Sequence, residues 1–361
     1  MNRPHAYTNP LSCRRGIALL VTLAIITLLI ASVLEMNRRV RAQITAAALL
    51  RDRTTRVQMA ESGTQMAMAL LIEDKKNSQV DTLQEDWANP EKLAQAVAQM
   101  PFERGRLVIV IRDALAKIQV NALVDAPYGR QFNVHQQLLW ERFIDIMNTR
   151  LKPDEAFDAT AIINALKDWL DAGDDDAITG LSGAESDYYQ SLKTPYACRN
   201  GPIFWLPELL RVKGVSALLY HGRPKTPGIA AYTTVQGAAG NDNALTFEGK
   251  ININTAALPV LAAILPTENQ DLAQAIFDFR SETSNGAYVN DLTAPDWYKN
   301  VPGAANLKID SKLITTASDI FEIESSAELN GVKFSTVSIV RRLRDKKSGQ
   351  TICRVLSRRT Q

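Results

Sequence analysis

Three cysteines in 361 residues are too few to staple a disulfide scaffold, and three histidines leave little for metal or acid–base chemistry. The short motifs of common catalysis are missing. There is no His-Glu-x-x-His, no Cys-x-x-Cys, no Gly-x-Ser-x-Gly and no phosphate-binding P-loop. His5 lies near the start, leaving His135 and His221 in the body, and Gly180-Leu-Ser-Gly183 reads as a turn rather than a nucleophile site. Positive charge is also scarce where it would matter. The formal net charge is +2, but the first sixty residues hold nine Arg against Glu35 and Asp52, which leaves a net −5 from Glu61 onward. A basic nucleic-acid footprint over the body is excluded on that distribution.

Another absence marks the N-terminus. Ile17–Leu34 contains no charge, and no Pro or Gly interrupts the chain between Ile17 and Gly63. Eighteen apolar residues rise about 27 Å as a helix, enough to span a hydrocarbon core. A cleavable secretory signal has a shorter core closed by a small-x-small site, and no Ala-x-Ala pair closes this one. Length alone reads as a signal anchor. Flanking charge conflicts with a body outside the cytoplasm, since three Arg precede the span while Arg38, Arg39, Arg41, Arg51 and Arg53 follow it. The conflict softens if those Arg ride on one helix. Beyond the apolar run, Val57, Ala60, Thr64, Ala67 and Leu71 recur at helical spacing. A helix of about fifty residues is expected, apolar first and amphipathic later, with that stripe as its contact face.

In the body, Arg106–Val120 holds two β-rich runs around Arg112-Asp113, a hairpin signal. Helices are predicted over 136–170 on either side of Pro153, over 204–220, near Leu258–Leu265 and near Leu272–Arg280. Residues 221–250 are rich in Gly, Pro, Asn and Thr and read as a linker. Asp319–Leu329, Phe334–Leu343 and Thr351–Leu356 alternate with period two, an antiparallel meander. Strands early, helices in the middle and strands late imply an α/β unit interrupted by a helical insertion.

Two sets of residues then carry a family resemblance. Arg14-Arg15-Gly16 followed by Ile17-Ala-Leu-Leu20, with Ala60-Glu-Ser-Gly63, resembles the class III leader and N-terminal helix of type IV pilins and type II secretion pseudopilins. Further on, Ile111-Arg-Asp, Val120-Asn-Ala-Leu, Asp168-Trp-Leu-Asp171, Gly183–Tyr189, Pro195-Tyr196, Asn200-Gly-Pro202, Pro207-Glu-Leu-Leu and Ile251-Asn-Ile-Asn-Thr255 are similar, in order, to the K family of type II secretion minor pseudopilins. The resemblance implies an α+β fold, with a pilin-like long N-terminal helix packed on an antiparallel sheet and a large, mostly helical (SAM-like) insertion. It divides the chain into a leader over 1–16, a transmembrane part over 17–34, a pseudopilin domain from 35–124 and 313–361, and an insertion over 125–312 with lobes at about 125–220 and 251–312. A prepilin peptidase would cut between Gly16 and Ile17, and Ile17 would be methylated. The fifth mature residue, usually Glu, is Val21 here, which suits a tip subunit rather than a repeating one. The implied partners are minor pseudopilins I and J and the major pseudopilin. Their helices would meet the Val57–Leu71 stripe. The implied place is the inner membrane, single-pass, with a periplasmic body, and the implied role is capping the pseudopilus for export of folded proteins, without catalysis.

The densest acidic stretch is Asp168, Asp171, Asp174, Asp175, Asp176, Glu185 and Asp187. Its spacing is not that of an EF-hand, and composition alone reads as a solvated acidic loop. The family resemblance instead implies structural calcium, with Asp171, Asp174, Asp175, Asp176, Glu185 and Asp187 as candidate ligands. Loss of the leader would remove Cys13, leaving Cys198 and Cys353 as a candidate disulfide pair in an oxidising periplasm. A rival reading is a membrane-anchored DNA-uptake protein, because Ile251–Arg280 resembles the opening of a helix-hairpin-helix module. The phosphate-holding hairpin glycines of that module are missing from Ile264–Asp271, which carries Glu268 and Asp271 instead, so no nucleic acid partner is expected.

Overall fold

The computed structural model describes residues 14–125, 129–173, 178–239 and 246–361. They fall into two compact units, Met1–Gln58 and Met59–Gln361. Helix α1 spans Arg14–Asn77, and within the first unit it is the only element described. Its apolar stretch has a mean hydropathy of 2.9 and buries none of its side chains, so by length and composition it can cross a membrane. Its few hydroxyls are satisfied locally. Thr22 and Thr27 donate to carbonyls three residues back, and Ser32 to the carbonyl four back, which leaves no side-chain donor unpaired along that face.

In the second unit, the last turns of α1 lie on a four-stranded antiparallel sheet. Its strands are β1 (Arg106–Asp113), β2 (Ile320–Leu329), β3 (Val332–Arg344) and β4 (Thr351–Thr360), in that spatial order. Strand alternation sends Leu107, Ile109 and Ile111 of β1 and Phe321, Ile323 and Ala327 of β2 inward, where they meet Met59, Ala60, Ala67 and Leu71. Gly63 permits the close approach. A Cβ there would stand 2.3 Å from Ser325 Oγ and 3.2 Å from Leu107 Cδ1. The hairpin between β2 and β3 turns on Asn330-Gly331, both at positive φ (54° and 76°), as a two-residue type I′ loop requires. Helix α2 (Pro90–Ala98) is capped by Asn89, whose side chain accepts from Glu91 N and Lys92 N, and it packs against β1.

The hairpin expected within Arg106–Val120 does not form. β1 runs straight through Arg112-Asp113, because Arg112 faces Glu322 and Glu324 across the ladder, at 3.3 and 3.0 Å. Asp113 then caps a 3₁₀ turn by accepting from Leu115 N at 2.7 Å. Here the chain leaves the sheet, and it returns only at Ile320, so neighbouring strands β1 and β2 are separated by residues 114–319.

The regular structure of that long excursion is mainly helical: α3 (Val134–Asn148), α4 (Ala159–Leu170), α5 (Ser186–Gln190), α6 (Ala217–His221), α7 (Leu258–Ile264) and α8 (Leu272–Ser281). Its buried residues form one continuous core from Ile118 to Leu313, built around Trp140, Phe143, Trp169, Tyr189 and Trp297. α3 packs on both α4 and α7, so the early and late helices share that core. The stretch read as a linker carries two-residue ladders, Gly222–Arg223 with Thr226–Pro227 and Ala238–Ala239 with Thr246–Phe247. Parallel bridges close both ends of the excursion, Ile118–Gln119 with Thr233–Thr234 and Ile251–Asn252 with Ile314–Thr315.

Candidate functional site

The last turn of α4 and the start of α5 bring three carboxylates together. Asp168, Asp171 and Glu185 are all buried, and one oxygen from each lies within 4.8 Å of the others. The 179–184 segment is wound around Asp168. Both of its oxygens accept from Thr179 N at 3.1 Å, and Oδ2 accepts from Ala184 N at 2.8 Å. Gly183 is needed for this winding, since a Cβ there would fall 2.1 Å from Asp168 Oδ2. Lys167 offsets part of this negative charge, its Nζ sitting 2.6 Å from Asp171 and 3.8 Å from Asp168. Two ligands on opposite sides of a calcium ion, each at about 2.4 Å, lie up to about 4.8 Å apart. Hard oxygen donors at this spacing therefore fit a single such ion. Among the residues expected to coordinate, Asp171 and Glu185 are in this cluster, while Asp187 is exposed and outside it. Asp174, Asp175 and Asp176 lie outside the described residues. The sequence shows Asp168 as part of the acidic run but not as a ligand, because its burial under the returning 179–184 segment is a tertiary feature.

The helical stripe is placed differently from expectation. Ala60, Thr64, Ala67 and Leu71 are fully buried against the chain's own sheet, and Val57 is half-buried. Thr64 Oγ1 even reaches Thr336 Oγ1 at 3.5 Å. Four of the five stripe residues are thus intramolecular core rather than a partner face, because the sheet takes up the first apolar surface that the helix offers. Cys198 and Cys353 are both free thiols and do not pair. Cys198 belongs to the core of the insertion and Cys353 packs on that of the sheet, and burial pushes the thiols up to about 12 and about 11.

Residues 116–223 match the family described as type II secretion system (T2SS), protein K. Type II secretion system protein K of Aeromonas hydrophila is 26% identical over 346 residues, which cover 93% of this chain and 96% of the relative. Over nearly all of its length, the chain is similar to type II secretion system protein K. Protein K of Klebsiella pneumoniae is 28% identical and covers 81% of this chain and 83% of the relative. A putative protein K of Escherichia coli K12 is 30% identical, over 57% of this chain and 60% of the relative. In fold, the chain is similar to one in the crystal structure of the GspK-GspI-GspJ complex from the enterotoxigenic E. coli type 2 secretion system. That match has a TM-score of 0.58 at 19% identity and covers 87% of this chain and 99% of that one. The fold is the expected one, a long N-terminal helix with an antiparallel sheet and a large helical insertion.

The chain also holds a buried polar knot that the sequence does not reveal. Arg342, on β3, is 4% exposed and donates to Leu71 O and Asp74 Oδ2 at 2.9 Å, to Ser318 O at 3.0 Å and to Asp81. Its guanidinium also lies over the Phe321 ring, 5.0 Å from the centroid. Beside it, Asp113 Oδ2 accepts from Thr255 and Ser318 hydroxyls at 2.6 Å and from Asn252 Nδ2 at 2.9 Å. Burial pushes the Asp113 carboxyl up to about 6 in spite of these donors. Asp74 is pushed up to about 7, first by burial and then by the charges of Glu85 and Asp81, with Arg342 pulling the other way. The knot ties the end of α1, the end of β1 and the 251–256 segment together. A signal was available: Asp113 and Arg342 occupy inward positions of alternating strands, where an unpaired charge is too costly to stand alone.

In the Ile251–Arg280 stretch, α7 and α8 do form a helical pair. Arg280 is turned into the fold, donating to Ile253 O at 2.8 Å and Ala256 O at 2.5 Å. It is therefore spent on tying α8 to the preceding segment instead of presenting charge to a phosphate.

Proposed function

We propose that this chain is a minor pseudopilin that caps the tip of the type II secretion pseudopilus and supports its assembly for export of folded proteins. The observation that carries the reading is the excursion of residues 114–319 between adjacent strands β1 and β2 of a pilin-like sheet. A body of that size on one subunit obstructs the addition of another above it. Val21 supports the same reading, because it supplies no carboxylate to neutralise the terminal amine of a neighbouring subunit. In this account a prepilin peptidase cleaves between Gly16 and Ile17, Ile17 is methylated, α1 anchors the chain in the inner membrane, and the body lies in the periplasm. Minor pseudopilins I and J are its partners, as the complex named for the similar structure suggests, and the fibre below them is built of the major pseudopilin. No catalysis and no nucleic acid enter the role.

A calcium ion is proposed at Asp168, Asp171 and Glu185, with the stretch from Asp174 to Asp176 close by in sequence. Its task is structural: it neutralises clustered buried carboxylates and fixes the loop between α4 and α5.

Two measurements test the proposal. Mass spectrometry of chain purified from cells with an active prepilin peptidase should find an N-methylated Ile17 terminus, and a terminus that never falls at residue 17 overturns the processing step. Immunogold labelling of pseudopili should mark one fibre end, and label spread along the length overturns capping.

A further inference from the structure

We infer that the cavity where β3 ends against the insertion binds an acidic peptide segment. This space of about 650 Å3 is walled by the last turn of α1, the segment just before Ile251, residues 315–319, and the ends of β3 and β4. That size falls within the range of ligand pockets, about 300–1,000 Å3. Besides Arg342, four cationic side chains on three stretches line it: Lys75, Lys250, Arg341 and Arg344. Only two carboxylates, Glu248 and Asp319, join them. Asp319 is taken by Arg341, at 3.2 Å. Lys75 and Arg344 donate to the carbonyls of Gln79 and Gly349, at 2.8 and 2.9 Å, and neither has a carboxylate partner among the described residues. Nor does Lys250, which is half-buried. Arg342 also reaches the wall, but Asp74 and Asp81 already neutralise it.

The cavity therefore presents unmatched positive charge inside a body whose net charge is negative. Low-dielectric walls concentrate that field toward an incoming anion. A single small oxyanion fills little of this volume and reaches few of the four cations. An extended chain with several carboxylates can engage Lys75 at one wall and Lys250 and Arg344 at others, while its amides meet the Thr315 and Thr351 side chains. The inference concerns a binding site and does not depend on where the chain sits in a fibre.

The test uses the full chain in detergent and two fluorescein-labelled peptides, Gly-Glu-Glu-Gly-Glu-Glu-Gly and its all-Gln counterpart, followed by anisotropy at low salt. The Glu peptide should bind about tenfold or more tightly than the Gln peptide, and Lys250→Glu or Arg344→Glu should each weaken it by about tenfold. Lys333→Glu, an exposed reversal elsewhere on β3, should change binding by less than about twofold. Inorganic phosphate at equal ionic strength to a sodium chloride control should displace no more peptide than that control. Equal affinity for the two peptides, or none for either, overturns the inference. So does a Lys333→Glu loss as large as that of Lys250→Glu, or displacement specific to phosphate, which would make the site one for a single oxyanion. Melting curves of each variant confirm that loss of binding is not loss of fold.

Discussion

At the scale of single residues, the stability of the pilin-like half rests heavily on Arg342. Replacing it with Met keeps the bulk over Phe321 but leaves Asp81, which is fully buried, without its counter-charge. Breaking one partner of a buried ion pair costs about 3–5 kcal/mol, far above an exposed pair. Urea denaturation of the detergent-solubilised chain should show a loss of that order for Arg342→Met, and a change below about 1 kcal/mol would refute the role assigned to the knot. Asp74 gives the same region a pH dependence whose sign can be worked out. Its carboxyl is raised from 3.8 to about 7 in the folded chain, so between those values the folded state holds a proton that the unfolded state has lost. The stability from this group is complete below the unfolded value and is lost as pH rises through about 7. Asp113, raised to about 6, adds a slope of the same sign that ends about one unit lower. Thermal melting at pH 6 and pH 8 should therefore show a drop for the native chain. Asp74→Asn, neutral throughout, should flatten that drop; an unchanged drop would remove Asp74 as its source.

At the scale of elements, the contact between α1 and the sheet depends on one missing side chain. Gly63→Val would drive a branched side chain into Ser325 and Leu107, with the first contact at 2.3 Å before any relaxation. Overpacking of this kind costs about 1–3 kcal/mol. Denaturation of Gly63→Val should fall in that range, and a neutral result would show that α1 can shift off the sheet freely. The helices and the C-terminal meander were legible because their periods persist over many residues, as at Leu139, Phe143 and Met147 or from Phe321 to Ala327. The Arg112-Asp113 hairpin was misread for a local reason. A charged pair in an apolar run signals a turn when its neighbours in sequence are considered, but here Arg112 is matched by Glu322, far along the chain. The stripe on α1 was expected as a face for partner helices, but periodicity says only that a face is covered. Whether a partner or the chain's own sheet covers it is a tertiary fact, and Ala60 to Leu71 face the sheet. The acidic cluster was legible as a composition, while its membership was not. Asp168 sits at the end of α4 and becomes a hub only because the 179–184 loop folds its amides back onto it.

At the scale of the whole molecule, the insertion adds a second core to the sheet it interrupts, and calcium would hold the loop that closes part of that core. Asp168 and Asp171 end α4, which packs on α3, while Glu185 starts α5, whose Tyr189 stacks against Tyr196 and meets Trp169 edge-on at 4.9 Å. A cation shared by these carboxylates would couple two helices through their charges as well as through their aromatic contacts. Binding to the folded state alone adds about 2.7 kcal/mol when the ion is present at a hundredfold over its dissociation constant. Melting of the purified chain in millimolar calcium should thus exceed melting in EGTA by several degrees. Glu185→Gln and Asp171→Asn should each reduce the gap, while Asp187→Asn, altering an exposed carboxylate outside the cluster, should leave it intact. Lys167 makes the prediction sharper. It already offsets one of the three charges, so Lys167→Met should weaken the chain more in EGTA than in calcium, and the calcium-dependent gap should widen. A gap that does not respond to Lys167 would mean that the ion, if bound, sits away from Asp171.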